Sequence, residues 1–207
     1  ETGQRPDHVA RRRRRARGLL GVPPEAKVIG TVARLDSQKS PEDMVRAVAG
    51  LRRADVWLAW VGDGDLRAQT ERLAAKMGLG DRCLLLGDRG DVAALLPGFD
   101  VFAMSSLYEG LPCAVVEAMT CGIPVAATAV NSVPEIVVAG KTGLLARPGD
   151  PESLARALAY LLDHPDEAAR MAEAARTQVW GRFRPDTLGQ ELAEVYEIAL
   201  RLGGGSS

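Results

Sequence analysis

Residues 100–128, DVFAMSSLYEGLPCAVVEAMTCGIPVAAT, decide the fold. An apolar run over 100–105 leads into a polar loop, a helix is expected to start at Pro112, and a second apolar run follows over 124–128. Strands that read as continuous apolar runs, each followed by a helix, belong to a parallel sheet covered on both faces. The unit recurs in both directions along the chain. KVIGTVA (27–33) precedes a helix over 41–52, VWLAWV (56–61) one over 65–77, and RCLLLG (82–87) a short one over 91–97. After PVAAT comes a turn of helix near 133–138, and GLLA (143–146) closes the series. The pattern predicts the α/β class: a doubly wound parallel sheet of about six strands with helices on both faces.

Helix boundaries carry their own marks. Ser40, Pro41 and Asp43 read as a cap, a first-turn proline and a capping-box acid, and Asp150 with Pro151 repeats the device. After Asp150 the strands stop, and helices are expected over 151–163, 165–180 and 186–201. Leu154, Leu158, Leu161 and Leu162 form an apolar stripe on the first of these. A further helix over 8–20 carries Arg11, Arg12, Arg13, Arg14 and Arg15. Five consecutive arginines cover every face of a helix, so most of them must be solvated; contact with anionic lipid or an acidic partner is the alternative.

Composition bounds the function. The 207 residues are 46% apolar and 26% charged, with 22 glycines, which is enough to build a full core without disulfides or metals and excludes disorder. Residues 1–17 hold seven arginines against Glu1 and Asp7, a charge of +5 that leaves −6 on the rest of a chain whose total is −1. The balance argues against a basic nucleic-acid-binding body. No apolar stretch approaches the roughly 20 residues of a membrane span, and the first residues form no signal-peptide core. Cys83, Cys113 and Cys121 form no C-x-x-C pair, and His8 and His164 stand alone, so reduced cytoplasmic thiols and no metal site are expected. One domain is expected over 5–201, with flexible tails at 1–4 and 203–207.

In open parallel sheets ligands bind outside the carboxyl ends of the strands, so the loops after each strand are the place to look. Arg34 and Lys39 bracket the first such turn, where two fixed cations can hold a diphosphate or simply be solvated. This is not a Walker A loop, because Gln38 stands where glycine must precede the lysine. Gly62 and Gly64 follow the second strand, but Arg67 replaces the small residue of a dinucleotide fingerprint; a tight turn and close ligand approach explain them equally well. At the helix expected from Pro112, Leu111 offers no capping side chain, so the first-turn N–H groups are open to an anion or to water. Glu109 and Glu117 flank that helix start with carboxylates about 10 Å apart, the span of an extended nucleotide sugar. Either alone reads as a solvated or capping residue. Together with Arg34 and Lys39 they outline a site in which one carboxylate takes ribose hydroxyls, the other sugar hydroxyls, and the diphosphate lies between.

GTVARLDSQK, VGDGDLR, GDRGDVAALLPGFDVFAMSS, YEGLPCAVVEAMTCGIPVAAT, NSVPEIV and KTGLLARPGDPESLARAL occur in that order and together resemble the C-terminal domain of the family 4 retaining glycosyltransferases of the GT-B fold, over about residues 5–200. The resemblance implies a Rossmann-like nucleotide-sugar-binding domain, the C-terminal half of that fold. It implies that Arg34 and Lys39 bind the donor diphosphate, Glu117 the ribose and Glu109 the transferred sugar. It further implies that Arg89, Gly90, Asp91 and Val92 face the base, and that Gly110, Leu111, Pro112 and Cys113 offer backbone groups to sugar and phosphate. Donor chemistry would need no metal or other cofactor. The acceptor-binding N-terminal domain of such enzymes, which takes a glycan, lipid or small-molecule acceptor, is absent from these residues. Ser132 stands where the family commonly has glycine, and Cys113 also departs; both are expected to tighten the sugar pocket.

The expected function is therefore that of the donor half of a hexosyltransferase using a UDP- or GDP-sugar, cytoplasmic or peripheral at the inner membrane face, that binds nucleotide but does not transfer by itself. A nucleotide-sugar epimerase half and a non-catalytic nucleotide-sugar-binding module are the alternatives.

Overall fold

The structure, a computed structural model, describes residues 6–182. The strands β1 (Lys27–Val32), β2 (Val56–Val61), β3 (Cys83–Leu85), β4 (Val101–Met104), β5 (Val125–Thr128) and β6 (Leu144–Ala146) form one sheet in the order β3-β2-β1-β4-β5-β6, with every neighbour parallel. The helices are α1 (Pro6–Leu20), α2 (Pro41–Gly50), α3 (Arg67–Lys76), α4 (Val92–Leu95), α5 (Cys113–Thr120), α6 (Val133–Ile136), α7 (Pro151–Asp163) and α8 (Pro165–Arg182). Winding proceeds outward from β1 to β3, then restarts at β4 and runs outward to β6. This is the doubly wound, Rossmann-like sheet expected, and its switch point lies between β1 and β4. The helix expected over 186–201 and both tails lie outside the described residues.

Pleating sends alternate residues to opposite faces, and here both faces are apolar. Val28, Ala59 and Phe102 join the core under α1, α4, α5 and the C-terminal part of α8, while Ile29, Trp60 and Ala103 join the one under α2, α3, α7 and the N-terminal part of α8. Each strand therefore reads as an unbroken apolar run. Gly30 is required by this packing, because a Cβ there would sit 2.1 Å from Cδ2 of Phe99.

One of the two helix starts behaves as expected. Asp150 caps α7 by accepting the Ser153 N–H at 2.8 Å. Ser40 does not cap α2: its backbone is left-handed (φ 45°, ψ 62°), and its hydroxyl donates to Asp43 at 2.7 Å instead. The carbonyls of Lys39 and Ser40 lie 2.8 and 3.0 Å from Oγ of Ser105, which holds the turn in that conformation.

The connections at the amino ends of the strands hold a dense electrostatic cluster. Asp100, just before β4, accepts from Nη2 of Arg13 and Nη2 of Arg17, both at 2.6 Å, and from the Val28 N–H at 2.7 Å. Arg17 is 7% exposed and donates again to the Pro24 carbonyl at 2.6 Å. Burial lowers the pKa of its guanidinium, and Asp100 opposes the shift. The arginine run thus divides: Arg13 turns in to this cluster, while Arg11, Arg12, Arg14 and Arg15 are exposed. Removing one partner of a buried pair strands the other, at a cost of about 3–5 kcal/mol. Asp100→Ala is expected to lose about that much stability, read as a lowered urea midpoint at unchanged slope, whereas Arg14→Ala leaves the unfolding free energy within about 0.5 kcal/mol of its original value.

Candidate functional site

The loops that follow β1, β4 and β5 meet at the switch point, and the middle one is held on both sides. On the β1 side the Leu107 N–H donates to the Gln38 carbonyl (2.8 Å), and Nε2 of Gln38 donates to the Tyr108 carbonyl (3.0 Å). On the β5 side the Glu109 N–H donates to Oδ1 of Asn131, and Oγ of Ser132 donates to the Gly110 carbonyl, both at 2.9 Å.

Beside this loop lies a cavity of about 190 Å³, lined by the buried Phe102 and Met104 together with Lys39, Ser106, Glu109 and Cys113. Nζ of Lys39 lies 2.7 and 2.9 Å from the two carboxylate oxygens of Glu109. Oγ of Ser106 donates to Oε1 of the same carboxylate at 2.6 Å, and Oγ1 of Thr128 donates to the Ser106 carbonyl at 2.6 Å. The Lys39 and Glu109 side chains are 19% and 7% exposed, so the pair is largely shielded from water. The sequence placed both at one ligand edge without indicating that they face each other.

Helix α5 begins one residue later than expected. Pro112 is the residue before its first turn and, having no polar side chain, leaves the helix uncapped. Two of the first N–H groups turn back on the chain, Cys113 to the Leu111 carbonyl (2.9 Å) and Val115 to the Pro112 carbonyl (3.0 Å). Among the described residues, no hydrogen bond uses the N–H of Gly110, Leu111 or Ala114. Glu117 projects from α5 as an exposed side chain without a hydrogen bond or ion pair among the described residues.

Other expected site residues are placed differently. Arg34 does not join Lys39 at the cavity: it pairs with Asp36 at 2.9 Å and is 71% exposed. Asp36 separates the two cations, because its other oxygen accepts the Lys39 N–H at 3.1 Å and closes the turn between them. Gly62 and Gly64 are explained by backbone packing. A Cβ would lie 2.1 Å from the Ala33 carbonyl oxygen at the first and 2.5 Å from that of Leu35 at the second, where φ is 127° and 159°. Arg89 is held by both Asp91 oxygens at 2.7 Å, in the turn with Gly90 that precedes Val92 at the start of α4. Ser132, expected to narrow the pocket, bonds the loop backbone and does not line the cavity. Sequence reasoning gave no role to Asp36, Gln38, Ser105, Ser106 or Asn131. Their one signal was polar side chains in the loops that follow the strands.

With this geometry in place, comparison with known proteins is informative. Residues 13–178 match the family of glycosyl transferases group 1. The chain belongs to that family. It is 30% identical over 182 residues to the N-acetyl-alpha-D-glucosaminyl L-malate synthase of Bacillus anthracis, covering 87% of this chain and 48% of that protein. It is 34% identical over 203 residues to the GDP-mannose-dependent alpha-(1-6)-phosphatidylinositol monomannoside mannosyltransferase of Mycolicibacterium smegmatis, covering 92% and 52%. The crystal structure of Anabaena HepE in complex with UDP and glucose superposes with a TM-score of 0.83 at 28% identity, over 94% of this chain and 53% of that one. The chain spans about half the length of the curated relatives it matches. The doubly wound sheet is the C-terminal half of the GT-B fold. Among the described residues, no helix is long and apolar enough to cross a membrane, and no three His, Cys, Asp or Glu side chains gather as metal ligands.

The three thiols provide a probe of the site. Cys113 and Cys121 are exposed and Cys83 is half-buried. Burial pushes the Cys83 thiol up to about 11, with the Glu71 charge adding to it. Burial also raises Cys121, and Arg12 opposes the shift. A thiol is deprotonated only as pH approaches its pKa, so at pH 8 about one Cys83 in a thousand is the reactive thiolate. Alkylation of the folded chain at pH 8, followed by peptide mass mapping, is expected to modify Cys113 first and Cys121 next. Cys83 should react only after unfolding or above about pH 10.

Proposed function

We propose that the edge between β1 and β4 binds the diphosphate and sugar of a UDP- or GDP-sugar, and that the chain is the donor half of a retaining glycosyltransferase acting on an acceptor hydroxyl. The observation that carries this reading is the shielded Lys39–Glu109 pair over a cavity that ends at the uncapped start of α5. A cation, a carboxylate and open N–H groups at a switch point match the parts of a nucleotide sugar: anionic oxygens for Lys39 and the helix end, sugar hydroxyls for Glu109. The names of two relatives support it, one solved with UDP and glucose and one called GDP-mannose-dependent.

In this reading the diphosphate takes over Lys39 from Glu109 and frees that carboxylate to accept from the transferred sugar. Arg34, exposed and weakly engaged, closes on the diphosphate from the solvent side. Glu117 accepts from the ribose hydroxyls, and the turn at Arg89, Gly90, Asp91 and Val92 borders the base. The departing diphosphate gains negative charge as its bond to the sugar breaks, and fixed cations with a helix dipole stabilise that charge. Protein cations perform this neutralisation, so the donor requires no metal. The acceptor, a glycan, lipid or small molecule, is held by a part of the enzyme outside these residues. In these residues by themselves the donor site is open to water, so they bind nucleotide without appreciable transfer.

Calorimetric titration of the chain with UDP, GDP and ADP and their sugar conjugates in EDTA tests the site. Saturable binding of one nucleotide, weakened by Glu117→Ala, is expected; binding that requires a divalent cation, or is untouched by the substitution, would sink the assignment. In a full-length enzyme containing these residues, Lys39→Ala is expected to lower turnover by about 10²-fold, a typical cost of losing one such donor.

The exposed Arg11, Arg12, Arg14 and Arg15 favour a second, compatible reading, in which α1 contacts anionic lipid at the inner face of a membrane. Co-sedimentation with phosphatidylserine vesicles at low salt, lost by about 0.5 M NaCl, is expected; no sedimentation at low salt would end this reading.

A further inference from the structure

The loop bearing Glu109 is held by the β5–α6 turn in an asymmetric way. A peptide unit is planar and trans, so its C=O and N–H point in opposite directions, and fixing one end aims the other. The Tyr108–Glu109 peptide is fixed at both ends: its carbonyl accepts from Gln38 at 3.0 Å, and its N–H donates to Asn131 at 2.9 Å. The Gly110–Leu111 peptide is fixed at one end only. Its carbonyl accepts from Oγ of Ser132 at 2.9 Å, while its N–H has no partner among the described residues. Leu111 and Glu109 both line the cavity.

Nothing local would hold that second peptide. Residue 110 is glycine, which adopts either hand of backbone at little cost, so the peptide can rotate unless an outside group restrains it. Ser132 is that group, and Asn131 brings it into place. Asn131 adopts a left-handed backbone (φ 45°), a conformation asparagine tolerates better than most residues, and in doing so presents its own side chain to Glu109 and the next one to Gly110.

We propose that Asn131 and Ser132 are positioning residues of the donor site. Ser132 aims the Leu111 N–H at an anionic oxygen of a nucleoside diphosphate sugar, and Asn131 holds the Glu109 backbone so that its carboxylate meets Lys39. This rests on the donor-site reading above and extends it to a turn that touches no part of the cavity itself.

The test uses the 207-residue chain, calorimetry with the nucleotide the unsubstituted chain binds, and amide NMR of Leu111. Ser132→Ala is expected to weaken nucleotide binding about five- to tenfold, the worth of one neutral hydrogen bond, without moving the thermal midpoint. Ser132→Thr, which keeps the hydroxyl, should restore affinity to within about twofold, which a merely structural contribution would not require. The nucleotide-induced shift of the Leu111 amide should be large in the unsubstituted chain and shrink in Ser132→Ala. Asn131→Gly, which keeps the left-handed turn and removes the side chain, should weaken binding by a similar factor. Unchanged affinity in both Ser132→Ala and Asn131→Gly, with the unsubstituted chain binding normally, would overturn the positioning role. If the unsubstituted chain binds no nucleotide, the donor-site reading fails first and takes this one with it.

Discussion

A parallel sheet cannot be closed by hairpins, so every connection must return over one of its faces, and both faces must be buried. The rest of this structure depends on that constraint. It makes the strands largely apolar and places α1, α4 and α5 on one side and α2, α3 and α7 on the other, with α8 contributing to both cores. It also sends the loops that leave β1 and β4 in opposite directions. The gap between them is the switch point of the sheet, and the candidate site occupies it.

The two ends of the sheet use charge for different ends. Around Asp100 three donors converge on one carboxylate, two of them from α1, and in this cluster only the buried Nε of Arg17 is left without a partner among the described residues. Its chemistry is that of a rivet between a helix and the amino ends of β1 and β4. Around Glu109 the partners are Lys39 and Ser106, and the neighbouring N–H groups of Gly110, Leu111 and Ala114 are unused among the described residues. In the proposed donor site this pair would exchange partners, an incoming anion compensating the cation as the carboxylate turned to new hydroxyls. Burial raises the strength of each interaction and the penalty for leaving any of them unmade.

Much of this was legible in the chain. Six apolar runs, each followed by a helical stretch, predicted six parallel strands in the right places, although β3 shrank from 82–87 to Cys83–Leu85. Glu109, Lys39 and the uncapped start of α5 were all expected at the carboxyl edge, and the family resemblance agrees with the family found by comparison. The misjudged details share a physical origin. Ser40 looks like a cap from its type and spacing, yet a hydroxyl from Ser105, 65 residues away, turns its backbone left-handed. Gly62 and Gly64 read equally well as turn or ligand-approach glycines from the chain alone, and only the fold shows that backbone carbonyls from the β1 loop occupy the space a side chain would need.

Local pattern determined the elements, their order and the edge at which the chemistry lies, because hydrophobic period and helix-start residues act within a few positions of themselves. Tertiary structure alone decided which side chains meet. Lys39 and Glu109 are 70 residues apart in sequence, and Glu109 and Asn131 are 22 apart. Their contact follows from a strand order in which β1, β4 and β5 are neighbours, and spacing along a chain carries no information about that order. Arg34, five residues from Lys39, pairs within its own turn with Asp36 instead of sharing the cavity.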